Sequence, residues 1–154
     1  MANLKQNKQQ KKNNTNGKEV INKKKLLEIY NKNYTEEEYF KNNVTFAFSQ
    51  KQLEEAISKL GAKDKTELAT IFGYGDICLK SKVKELYLWV LDKEAQKEKW
   101  LKSLSTKEQY IIIEYELYNH ECNYTWDIEP VTDLFKNVFD YNDIMRVFHR
   151  ITKE

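Results

Sequence analysis

Glu116 and His120 stand four residues apart, a spacing that brings a carboxylate and an imidazole onto one face of a helix. That pairing suits ligation of a divalent metal, with Glu121, Asp127 or Glu129 as a third ligand and a metal-dependent hydrolase as the resulting class. The pattern lacks an HExxH pair, and the second histidine, His149, lies far along the chain on another expected helix. A structural role for Asn119 and His120, with the imidazole bonding a carbonyl or carboxylate at a helix end, asks for less. Cys122 with His120 offers a thiol and a base. They are two residues apart, however, whereas a nucleophile usually meets its base through the fold. No elbow motif marks a catalytic serine. The reading is a non-enzymatic protein, with no cofactor and no metal.

Gly73-x-Gly75 is the glycine-rich element. A phosphate loop needs further glycines or a Gly-Lys-Ser/Thr, with a helix directly after it. Here Asp76 and an apolar run follow, so Gly73 and Gly75 read as turn residues. Binding chemistry has a better footing. Glu114, Glu116, Glu121, Asp127, Glu129 and Asp133 fall in one short region around Trp126. Gathered in space, they would form an acidic patch able to enter a basic groove, as a nucleic-acid mimic would. Tyr87 and Trp89, two positions apart on a helix, cannot share a face, so one of them is expected at the surface.

These residues need elements to hold them. Val20, Ile21, Leu26, Leu27 and Tyr30 recur helically over residues 19–31. Thr35 to Glu38 carries a capping-box signature for a short helix, and Val44 to Phe48 alternates as a short strand or extended segment. Ser49 with Gln52 opens a helix that Gly61 closes with a left-handed cap. Apolar runs at 68–72 and 77–79 flank Gly73 to Asp76 as a β-hairpin. A long helix follows over 82–103, its stripe formed by Val83, Leu86, Tyr87, Val90 and Leu91. Ser105 and Glu108 make a third capping box for a helix to about 118. Pro130 starts another, and Asp140 and Asn142 are caps for the last, in which Ile144, Val147, Phe148 and Ile151 repeat helically. The fold class is α+β: a mainly helical single domain over 18–154, five to seven helices on a small antiparallel hairpin or sheet.

The chain of 154 residues carries a net charge of +2, unevenly spread. Residues 1–33 hold nine Lys against Glu19 and Glu28, a balance of +7, while the remainder holds 17 basic and 22 acidic residues, a balance of −5. Residues 1–17 are almost free of apolar side chains and are expected to be a disordered basic arm. Lys5, Lys8, Lys11, Lys12, Lys23, Lys24 and Lys25 are candidates for contact with phosphates or an acidic partner. No aromatic residue precedes Tyr30, and Lys rather than Arg disfavours base reading, so such binding would lack sequence preference. Cys78 and Cys122 form no zinc spacing and fit a reducing cytoplasm. No targeting signal or membrane span is read from the sequence. Lys outnumbers Arg by 24 to 2, a bias of AT-rich genomes.

Three blocks read together. Phe46-Ala47-Phe48-Ser49 with Gln52-Leu53-Glu54-Glu55 and Lys59-Leu60-Gly61 is the first, and Gly73 to Lys80 the second. The third is Tyr115-Glu116-Leu117 with Asn119-His120-Glu121, Tyr124-Thr125, Asp127 and Pro130. Over about residues 44–135 they resemble an uncharacterised family of small proteins of phages, plasmids and conjugative elements in low-GC bacteria. Asp76 departs from the family's pattern, which tends to have a second glycine there. The resemblance implies genomic context rather than chemistry. Combined with the absence of a catalytic constellation, it makes the leading expectation an accessory protein that binds a bacterial defence effector, or its nucleic-acid complex, as an anti-CRISPR-type inhibitor. A non-specific nucleic-acid-binding protein working through the Lys-rich arm is the second.

Overall fold

A computed structural model describes residues 23–153. It is a mainly helical α+β protein with a small three-stranded antiparallel sheet. The described helices are α1 over residues 23–30, α2 (Glu38–Asn43), α3 (Gln50–Leu60), α4 (Val83–Ser103), α5 (Thr106–Asn119), α6 (Cys122–Thr125), α7 (Glu129–Leu134) and α8 (Tyr141–Thr152). The strands are β1 (Thr45–Phe46), β2 (Leu68–Ala69) and β3 (Asp76–Leu79). The described residues divide into two compact units, Asn33–Lys97 and a second that joins residues 23–32 to residues 98–153. α4 contributes residues to both.

In the Asn33–Lys97 unit, β3 is the central strand, pairing Ile77 with Thr45 of β1 and Cys78 with Ala69 of β2. The expected hairpin is therefore present, with the loop running from Thr70 to Gly75. Phe40, Val44, Cys78 and Leu86 form its core. Trp89 closes one side, its ring centroid 5.0 Å from Tyr39 and 5.8 Å from Tyr34. Lys93 covers that indole at 5.2 Å and bonds Glu37 at 2.8 Å, so one lysine ties α4 to the start of α2.

Helix signals written within four residues were realised unevenly. Ser105 and Glu108 form the full reciprocal capping box of α5. Ser49 Oγ accepts from Gln52 N at 3.2 Å, but the Gln52 side chain reaches back to Phe48 N at 2.7 Å instead of to Ser49. The Thr35 box does not form. Asn33 caps a short 3-10 turn at Tyr34–Glu36, Thr35 sits inside that turn, and Glu37 becomes the uncapped entry to α2. Asp140, not Asn142, stands at the entry to α8, without a side-chain cap.

In the second unit α5 is the central helix, burying Ile112, Ile113 and Leu117 against α8, α6 and α7. α8 turns Ile144, Val147 and Phe148 inward, as its period requires. The chain's two arginines both lie on α8 and reach toward α5. Arg150 pairs with Glu114 at 3.4 Å and lies over Tyr110, while Arg146 pairs at 3.3 Å with Asp143, which also accepts from the Tyr110 hydroxyl at 3.2 Å. Leu26 and Tyr30 of α1 complete this core. The expected helix start at Val20 and Ile21 lies outside the described residues.

Candidate partner-binding site

The site begins at the end of α5. Glu116 points from its buried face, and His120, at the C-cap, folds its Nε2 back to Glu116 Oε2 at 3.4 Å. Glu116 is buried and His120 is partly exposed, so the carboxylate has an imidazole beside it that carries a countercharge when protonated. Tyr30 lies close by. Burial first, then the Glu116 charge and Tyr115, raise its phenol well above the ordinary range. Its ring meets Tyr115 edge-on at 6.1 Å, and the Tyr115 hydroxyl is bonded by Asn31 at 3.2 Å. Glu116 therefore does not belong to a surface patch. It closes an interior cluster between α1 and α5, a placement that burial on the inward face of α5 dictates.

Beyond His120 the backbone does something unusual. Glu121 adopts φ 57° and Trp126 φ 59°, the only non-glycine residues with positive φ among the described residues. A left-handed conformation costs an L-residue roughly 1–2 kcal/mol, and for a residue as bulky as Trp it is an outlier. The two bracket α6, a single turn that no periodicity in the sequence announced. Cys122 is buried beneath it as its anchor. Burial, then Asp127, raise the Cys122 thiol, and it faces the backbone carbonyl of His120 at 4.0 Å rather than the ring. That is the opposite of an activated nucleophile.

What α6 presents outward is aromatic and acidic. Tyr124 is 80% exposed and Trp126 67% exposed, the indole resting edge-on against Phe148 at 5.5 Å. Glu121, Asp127 and Glu129 are exposed around them. Asp127 accepts from Glu129 N at 3.0 Å, and Thr125 Oγ1 accepts from Asp127 N at 3.2 Å, fixing the step into α7. Between Lys107 and Lys136 the chain has seven carboxylates and no Lys or Arg. Glu114, by contrast, is engaged by Arg150. Among the described residues no three His, Cys, Asp or Glu side chains gather to hold a metal ion. Lys23, Lys24 and Lys25 are all exposed on α1, and Lys5, Lys8, Lys11 and Lys12 lie outside the described residues.

The glycine positions are structural in distinct ways. Gly61 ends α3 at φ 73°. Gly73 and Gly75 have φ 81° and 86°, and a Cβ on Gly75 would run into the Phe48 ring. The residue that organises their loop is Asp76, buried, whose carboxylate accepts from Ile71 N at 2.7 Å, Phe72 N at 2.9 Å and Tyr74 N at 3.1 Å. Burial alone would raise this carboxyl, but those backbone donors and Thr70 outweigh it and hold it below the usual range. The loop is an anion nest filled by its own side chain. The acid at position 76 was the signal: where a phosphate loop leaves N–H groups free, this one occupies them.

A second aromatic surface has no signal in the sequence. Phe46 is 47% exposed and Phe48 76%, their rings nearly parallel with centroids 6.5 Å apart, and Tyr74 is 81% exposed. The expected extended segment ends as a strand at Phe46, with Phe48 in the bend before α3, and nothing in the alternation says which face is buried.

The fold and this corner define a small, mainly helical α+β protein with an acidic, aromatic surface turn. A family model described as a family of unknown function, DUF7659, matches residues 28–153, and the chain belongs to that family. No curated protein and no solved structure matches it. Among the described residues no helix is long and apolar enough to cross a membrane.

Proposed function

We propose that this is a non-enzymatic binding protein of a phage or mobile element, acting in the bacterial cytoplasm, that inhibits a defence effector in the manner of an anti-CRISPR protein. The observation that carries the reading is the α6 turn. Two left-handed residues hold Tyr124 and Trp126 out into solvent among Glu121, Asp127 and Glu129. Strain retained outside a packed interior points to a use for the shape it creates. An exposed indole rimmed by carboxylates fits a basic protein surface, where the ring supplies the buried anchor and the acids supply orientation. Nucleic-acid grooves of effector nucleases have that chemistry. The phage and mobile-element setting comes from the resemblance of the Phe46–Gly61, Gly73–Lys80 and Tyr115–Pro130 blocks.

Affinity for purified effector complexes of low-GC bacteria tests the reading. Trp126→Ala and Asp127→Lys should each weaken binding at least about tenfold, with circular dichroism verifying that each variant stays folded. Absence of binding across a broad panel, or binding indifferent to both substitutions, overturns it.

The exposed Lys23–Lys25 run favours a second reading, non-specific nucleic-acid binding through the basic N-terminal segment. That reading requires affinity that falls steeply with salt.

A further inference from the structure

We propose that the outer face of α4 is a self-association surface, taking a second copy of this chain with the two α4 helices antiparallel. The inward face of α4 is already occupied: Leu86 and Val90 are buried, and Val83 and Trp89 pack on the same core. A second apolar face remains. Tyr87, Leu88 and Leu91 are 51%, 55% and 42% exposed, at spacings that make one continuous stripe, with Ala95 extending it by a turn. A helix apolar on two faces is a helix covered on two faces.

The charges around the stripe say what covers it. Lys84 precedes Leu88 by one turn and sits at the positive end of the α4 dipole, where a cation is disfavoured. Asp92 and Glu94 follow Leu91. Neither Lys84 nor Glu94 has an ion-pair partner among the described residues. A two-fold axis between Trp89 and Val90 sets Leu88 of one copy on Leu91 of the other. It also sets Lys84 on Ala95, beside the opposing Glu94 and within a side chain's length of Asp92. The same patch then serves both copies, as a closed two-fold dimer demands. A parallel arrangement would set Lys84 on Lys84 and is disfavoured. One helix face is a small interface, so the dimer is weak and its population depends on concentration.

Sedimentation equilibrium of the full chain tests this. The expected result is a monomer–dimer equilibrium whose dissociation constant rises at least about tenfold in Leu88→Glu. Charge reversal gives the sharper readout. Lys84→Glu alone, and the double variant Asp92→Lys/Glu94→Lys alone, should each dimerise more weakly than the original chain. Their equimolar mixture should recover association, because each reversed charge then meets its opposite. Circular dichroism of the same samples verifies folding, and the mixture decides the matter if Leu88→Glu fails to fold. A monomer at every concentration, dimerisation of undiminished strength in Leu88→Glu, or no recovery in the mixture overturns the proposal.

Discussion

Asp76 does for the 70–75 loop what a bound anion does for a phosphate loop, and its three backbone donors make it the most consequential single carboxylate in the Asn33–Lys97 unit. Asp76→Asn keeps one acceptor and loses the charge, so it should destabilise by about 1–3 kcal/mol at neutral pH. Because the folded carboxyl is held below its ordinary value, its contribution is fully present above about pH 4 and is lost as pH falls through the folded value. Urea denaturation at pH 7 and at acid pH should therefore show the Asn variant converging on the original chain in acid. A gap that persists unchanged would mean the charge is not what stabilises the loop. Glu116 and His120 make the second residue-scale case. His120→Ala removes the imidazole beside the buried Glu116 and should cost about 1–3 kcal/mol, discounted because the imidazole is partly exposed. In a Glu116→Gln background the same change should cost about 1 kcal/mol less, and a double-mutant cycle measures that coupling.

At the scale of elements, α6 exists only because Glu121 and Trp126 accept left-handed backbone. Glu121→Gly removes the Cβ that makes φ 57° costly and should raise stability by up to about 1 kcal/mol, read as a melting temperature higher by a few degrees. Trp126→Gly should show no such gain, since the edge-on packing of the indole against Phe148 goes with the side chain. The same turn marks the limit of what the sequence discloses. Ser105, Ser49, Gly61 and Pro130 were legible because a cap is settled among residues three or four apart, and three-dimensional context seldom revokes it. Thr35 shows the exception: Asn33, two residues upstream, captured the turn first. α6 was illegible because it has neither apolar period nor cap, and its anchor, Cys122, is fixed by packing against α5. The α4 stripe was half legible. Val83, Leu86, Tyr87, Val90 and Leu91 read as one face, whereas burial separates Leu86 and Val90 from Tyr87 and Leu91, a division only the partner elements can make. The acidic patch was likewise half legible, since composition announces the carboxylates but not that Glu116 turns inward and Glu114 is taken by Arg150.

Across the whole molecule the charge is segregated along the chain: residues 1–32 carry +7, residues 33–97 carry −1 and residues 98–154 carry −4. Nothing about folding requires such a split, because self-repulsion among the first nine lysines offers the core nothing. Residues 1–17 carry almost no apolar side chains, so a chain beginning at Glu19 should melt within about two degrees of the full chain. That truncation removes five lysines and leaves Lys23, Lys24, Lys25 and Lys32. It therefore separates the two functional readings cleanly. If the acidic, aromatic turn at Trp126 is the working surface, effector binding should survive truncation nearly unchanged and fall with Trp126→Ala. If the basic segment is the working surface, affinity for single-stranded nucleic acid should fall on truncation. The slope of log K against log salt should then shrink in magnitude by about 0.7 for each phosphate that the shorter chain no longer neutralises. Measuring both slopes on both chain lengths assigns the activity to one end of this charge gradient, because the Trp126 turn keeps its carboxylates in either chain while the basic segment keeps only four of its nine lysines.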